Sequence, residues 1–129
     1  MNSSANPNPD DAHPGCDLRD SLVQGRCVPC EGGVEPIAGE QAQQYVQALT
    51  DWNLDETGTQ ISRKINTKNF ARAVTLINQI ADLAEEQAHH PDLHLTGYRH
   101  LQIVLSTHAI GGLSENDFII AAKIDELLK

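Results

Sequence analysis

The sequence predicts an α+β domain: a four-stranded antiparallel sheet with helices packed on one face, in the order helix, strand, strand, helix, strand, strand, helix. Three observations carry that expectation. Residues 51–65 and 94–107 each hold two alternating apolar–polar runs separated by a turn, the pattern of a hairpin. The stretch between them repeats apolar residues at spacings of three and four, the pattern of a helix. The chain then closes on an apolar segment rich in helix formers.

Taken in order, residues 40–49 (EQAQQYVQAL) are helix formers with Tyr45, Val46 and Leu49 on one side. Residues 51–55 place Trp52 and Leu54 on one face of a half-buried strand, and residues 60–65 alternate again through Ile61 and Ile65, with a turn at Thr57-Gly58 between them. Residues 67–88 form the strongest helix, with Phe70, Val74, Ile77, Ala81, Ala84 and Ala88 as its apolar stripe and Ala73 and Ile80 widening it. Pro91 forbids continuation and pushes His90 towards an extended conformation. Residues 94–98 and 100–107 read as strands, the second with Leu101, Ile103 and Leu105 on one face. Gly111-Gly112 is a turn, and Ser114 followed by Asp117 resembles a capping box at the start of the last helix. Residues 118–128 are apolar over more than one stripe, and the surplus implies that this helix also meets a partner chain.

The N-terminal third differs. Residues 1–15 (MNSSANPNPDDAHPG) offer almost nothing to bury and are expected to be a disordered tail. Residues 16–39 carry Cys16, Cys27 and Cys30 and are expected to be an irregular arm, with the regular domain running from 40 to 129. Against 18 acidic residues the chain has only 9 basic ones, which leaves no clustered Lys/Arg footprint for nucleic acid. No apolar run approaches the roughly 20 residues of a membrane helix, and the N-terminus lacks the pattern of a secretory signal, so the expectation is a cytoplasmic protein. Three cysteines cannot form a complete disulfide framework. Cys27-Val-Pro-Cys30 has the spacing of a zinc-binding loop, and His13, Cys16, Cys27 and Cys30 would complete a tetrahedron. A single such loop with one ligand in the tail favours the plainer reading of reduced thiols and no metal.

The chemistry-bearing residues cluster late. His89-His90-Pro91 ends the long helical pattern, and His108 closes the last strand pattern one hairpin later, so the topology allows three imidazoles to share one cleft. Imidazole, with an unperturbed pKa of about 6.5, exchanges protons near neutral pH. Read alone, His-His-Pro also serves as a helix stop, Asp117 is explained by capping alone, and Glu85 by solvation. His94 and His100 read as ordinary surface residues.

The set Glu85, His89, His90, Pro91, Tyr98, His108 and Asp117 matches, at fixed spacing, the pattern of the pterin-4a-carbinolamine dehydratases, and the resemblance spans residues 40–128. It implies dehydration of 4a-hydroxytetrahydropterin to quinonoid dihydropterin by histidine acid/base catalysis, with the pterin as substrate and no cofactor. It also implies a homodimer or homotetramer with no direct nucleic-acid or membrane partner. By the same resemblance His89 and His108 supply the acid and the base, in either order, with His90 binding or assisting. Ala88, Pro91, Ser106, Thr107 and Ala109 contact the pterin, Glu85 orients His89 and Asp117 orients His108. The chain departs from compact animal members in the longer gap from Pro91 to Tyr98, in Ala88 and Leu93 where they carry Asp and Trp, and in the cysteine arm. Those departures admit a second reading, a non-catalytic relative such as a dimerisation cofactor or a Rubisco assembly factor of α-carboxysomes.

Overall fold

The computed structural model describes residues 14–28 and 35–129. Its elements are α1 (Pro14–Gln24), α2 (Gly39–Gln47), β1 (Asn53–Leu54), β2 (Ile61–Asn66), α3 (Phe70–Gln87), β3 (Asp92–Thr96), β4 (His100–Leu105), a 3-10 turn (His108–Ile110) and α4 (Glu115–Leu127). The fold is α+β, with the strands in the order β1-β2-β4-β3 and every neighbouring pair antiparallel. Because β3 and β4 form a hairpin after α3 crosses over, β4 inserts beside β2. Their register sets Ile61 opposite Leu105 and Ile65 opposite Leu101. Ile61, Leu101, Ile103 and Leu105 are buried on the core face, while the alternate positions Ser62, Lys64, Gln102 and Val104 remain more open.

The first strand is shorter than the alternation of residues 51–55 implies. Asp51 takes a left-handed conformation (φ 61°), so pairing begins only at Asn53. Trp52 is buried and its indole Nε1 donates to Asp125 Oδ1 at 2.8 Å. Asp125 also accepts from Thr50 N at 2.9 Å and from Arg63 Nη1 at 2.5 Å, so one buried carboxylate ties α4 to the α2–β1 loop and to β2. Nearby, Tyr45 stacks on Phe118 with ring centroids 4.6 Å apart. Burial, reinforced by the charge of Glu115, raises the Tyr45 phenol above its ordinary pKa.

Three expectations need correction. The buried row of α3 is Ala73, Leu76, Ile80, Ala84 and Gln87, whereas Phe70 and Val74 are exposed. The two rows share Ala84, and the buried face is turned by roughly 80° from the main expected stripe towards its Ala73–Ile80 edge. Both rows are largely apolar and both carry alanines, so neither hydrophobicity nor size separates them in the sequence. Second, the segment expected to be irregular is helical over Pro14–Gln24. Residues 1–13 and 29–34, which include His13 and Cys30 of the zinc pattern, lie outside the described residues. Third, the apolar surplus of residues 118–124 is covered within the chain, while Leu127 stays exposed and Leu128 partly buried. Leu22 of α1 is buried, Leu18 and Val23 pack on the same core, and Phe118 to Ala122 are all buried between α1 and the rest of the domain. A Cβ on Gly25 would lie 3.1 Å from the Ile119 side chain, a measure of how closely the chain after α1 approaches α4. The Lys123 ammonium closes the same contact by donating to the Val23 carbonyl at 2.7 Å. Among the described residues no helix is long and apolar enough to cross a membrane.

Candidate active site

The site begins where α3 stops. Ala88 adopts a left-handed conformation (φ 54°), with Ala88 N–H donating to Glu85 O at 3.3 Å and His89 N–H to Ala84 O at 3.1 Å. That is a Schellman stop made without glycine, at a residue whose Cβ disfavours it. The helix thus ends before Pro91 acts, and the chain turns sharply so that His89 and His90 leave the helix axis in different directions.

His89 is partly buried, and its Nε2 lies 2.6 Å from Asp117 Oδ1. Asp117 is fully buried at the first turn of α4. Its other oxygen, Oδ2, accepts from Ser114 N–H at 2.9 Å and from the Thr107 hydroxyl at 2.8 Å, and the Thr107 and Ser114 hydroxyls meet at 2.7 Å. A carboxylate only accepts, so His89 Nε2 carries a proton, and Nδ1 is the ring nitrogen left for another partner. His90 Nε2 pairs with Glu85 Oε2 at the surface, both side chains being largely exposed. The two acidic residues therefore serve partners other than those expected: Asp117 holds His89 rather than His108, and Glu85 meets His90 rather than His89. The i,i+4 reasoning that put Glu85 beside His89 assumes a continuing helix, and the left-handed Ala88 ends it. Asp117 therefore caps α4 and holds His89 at once, so the capping expected of it is present while the histidine it meets is not the one expected.

His108 opens the 3-10 turn and is exposed. Its loop is pinched shut by Thr107 N–H donating to Gly112 O at 2.7 Å. Gly111 takes a left-handed φ of 67°, and a Cβ on Gly112 would stand 2.9 Å from Pro36 Cβ, so the second glycine admits the segment that bridges Ile37 to Leu113.

His89, His90 and His108 line one open cleft of about 320 Å³, together with Ala88, Ser106, Thr107, Ala109, Asn116 and Val28. That volume falls at the lower end of the range for small-molecule sites. Thr107 reaches the cleft, but its hydroxyl is committed to Asp117. Pro91 and Tyr98 are not among the lining residues, and Tyr98 sits on the β3–β4 turn with the Arg99 guanidinium 5.6 Å from its ring centroid. Val28 and Asn116 are the lining residues that the sequence reading did not single out. Among the described residues no cluster of three or more His, Cys, Asp or Glu side chains is arranged to hold a metal.

The sheet-and-helix domain thus gathers three imidazoles at one cleft, one of them backed by a buried carboxylate, and imidazole is a group able to exchange protons near neutral pH. Residues 35–127 match the family model described as pterin 4 alpha carbinolamine dehydratase, and the chain belongs to that family. It is 43% identical over 107 residues to a protein of Halorhodospira halophila named "Putative pterin-4-alpha-carbinolamine dehydratase", an alignment covering 83% of this chain and 97% of that protein. It is 42% identical over 115 residues to pterin-4-alpha-carbinolamine dehydratase 2, mitochondrial, of Arabidopsis thaliana, covering 87% of this chain and 61% of that one. The crystal structure of a transcriptional coactivator/pterin dehydratase from Brucella melitensis superposes with a TM-score of 0.69 at 25% identity, covering 74% of this chain and all of that chain (100%).

Proposed function

We propose that this protein is a hydro-lyase that dehydrates a 4a-hydroxytetrahydropterin, with His89 as the base and His108 as the acid. The observation that carries the reading is the His89 Nε2–Asp117 Oδ1 contact of 2.6 Å at the wall of a cleft shared with His90 and His108. Loss of water breaks the C4a–O bond, and hydroxide is a poor leaving group, so a proton must reach the oxygen as the bond breaks. A second proton must leave the adjacent ring nitrogen, whose electron pair then forms the new double bond of the quinonoid dihydropterin. His89 is suited to accept that proton at Nδ1, because the imidazolium it becomes lies against the Asp117 carboxylate. His108, on its exposed loop, delivers a proton to the departing hydroxyl and regains one from water. His90 binds the substrate edge, and its surface partner Glu85 contributes little to stability.

The test is dehydration of synthetic 4a-hydroxytetrahydropterin by the purified chain beside His89→Ala and His108→Ala. Each substitution is expected to lower kcat about 10²–10⁴-fold. A wild-type protein that gives no acceleration over buffer ends the enzymatic reading and leaves a binding role for the cleft.

A further inference from the structure

Two buried polar side chains are devoted to the arm. Gln87, the last residue of α3, is buried, and its Oε1 accepts from Cys27 N–H at 2.9 Å. Asn116, in the first turn of α4, is also buried. Its Oδ1 accepts from Val28 N–H at 3.0 Å and its Nδ2 donates to Val28 O at 2.5 Å. A buried amide must be matched by partners, and here the arm's backbone matches two of them, 60 and 88 residues away in sequence. The same two helix ends present the catalytic groups: Gln87 precedes Ala88 and His89, and Asn116 precedes Asp117. The arm backbone is therefore registered against the elements that carry His89 and its carboxylate. The residue so held, Val28, lines the cleft and is 63% exposed. An apolar, β-branched residue with a clamped backbone thus stands more open than covered at the edge of the cleft.

We propose that Val28 is a specificity-determining residue, the apolar wall of the substrate cleft, and that Gln87 and Asn116 are positioning residues that hold it there. Val28 contacts the hydrocarbon surface of a flat bicyclic substrate or of its C6 side chain, opposite the polar imidazoles. This rests on the pterin reading above.

The experiment compares full-length wild type with Val28→Ala, Val28→Asp and Val28→Ile. Its readouts are KM and kcat on 4a-hydroxytetrahydrobiopterin, Kd for unreactive oxidised biopterin by fluorescence, and Tm. Shortening the wall to alanine is expected to raise KM and Kd about fivefold with kcat within about twofold. Aspartate, which desolvates a charge against the ring, raises both more than about tenfold, and isoleucine restores wild-type values or tightens them. Because the side chain is mostly exposed, Tm stays within about 1 °C across the series. An active wild type whose KM and Kd do not respond to Val28→Asp overturns the wall while leaving the dehydratase reading intact. So does a fall in kcat that tracks Tm, which marks a structural role. A wild type that neither dehydrates nor binds pterin removes both.

Discussion

Replacing Asp117 by asparagine reverses the proton on His89 while nearly preserving shape. Oδ2 accepts from Ser114 N–H and from the Thr107 hydroxyl. The Ser114 amide can only donate, so the asparagine oxygen must take that position. Its NH₂ then faces His89 Nε2, which must surrender its proton and accept. In neutral His89 the proton moves to Nδ1, the nitrogen that the mechanism needs as a base. The imidazolium formed in the reaction also loses its neighbouring negative charge. We expect kcat to fall about 10²–10³-fold, with KM changed far less. Two hydrogen bonds become neutral, each at a cost of about 1 kcal/mol, and a negative charge leaves the first turn of α4, at about 0.5 kcal/mol. The total of roughly 2–3 kcal/mol corresponds to a Tm lower by about 6–12 °C. Dehydration kinetics at 25 °C, calorimetry and ¹⁵N chemical shifts of the His89 ring measure these separately. A folded Asp117→Asn protein within threefold of wild-type kcat, or one whose His89 still protonates Nε2, refutes the assignment.

Other expectations follow from the same contacts. Asp125→Leu strands the Arg63 guanidinium and the Trp52 indole N–H, and is expected to cost about 3–5 kcal/mol in chemical denaturation. The double variant Arg63→Met/Asp125→Leu should recover the part of that loss due to the uncompensated charge, while the Trp52 and Thr50 N–H groups stay without their acceptor. Ala88→Gly relieves the left-handed Cβ at the end of α3 and should stabilise by about 0.5–1 kcal/mol, read from the denaturation midpoint. Asp55 is held below the ordinary carboxylate pKa: burial works to raise it, but hydrogen bonds from the Thr57 hydroxyl and from the backbone of Thr59, Gln60 and Gly58 together outweigh that. Its contribution is therefore present above the unfolded-state pKa and lost as pH falls through the lower folded value. Asp55→Ala should accordingly lower Tm at pH 7 and by less at pH 3.

The sheet was legible because alternation at Ile61 and Ile65, and at Leu101, Ile103 and Leu105, has a single solution when one face must be buried. The histidine cleft was legible because fixed spacing across one hairpin constrains where a chain can return. What the sequence concealed was orientation. Two adjacent apolar rows compete on α3, and periodicity alone does not rank Ala73–Leu76–Ile80 above Phe70–Val74–Ile77. Helix α1 was concealed because PGCDLRDSLVQ opens on proline and glycine, and its anchor, Leu22, gains its meaning only from α4. The exchange of partners between Glu85 and Asp117 depends on one left-handed residue, Ala88, which no side-chain pattern announces. Val28 carries no signal at all in sequence, because what brings it to the cleft is its backbone.

Asp117 gives the fold and the chemistry a common dependence. One oxygen satisfies the start of α4 and the other meets His89, so a single carboxylate links a helix terminus to the proposed base. Removing the side chain with Asp117→Ala should therefore lower Tm and kcat together. His89→Ala removes the base and leaves the carboxylate accepting from Ser114 and Thr107. It is expected to lower kcat about 10²–10⁴-fold while Tm falls by less than in Asp117→Ala, because the cap survives. The reverse ordering, a larger loss of stability from His89→Ala than from Asp117→Ala, would mean that the imidazole serves the carboxylate and that His89 is part of the packing rather than the chemistry.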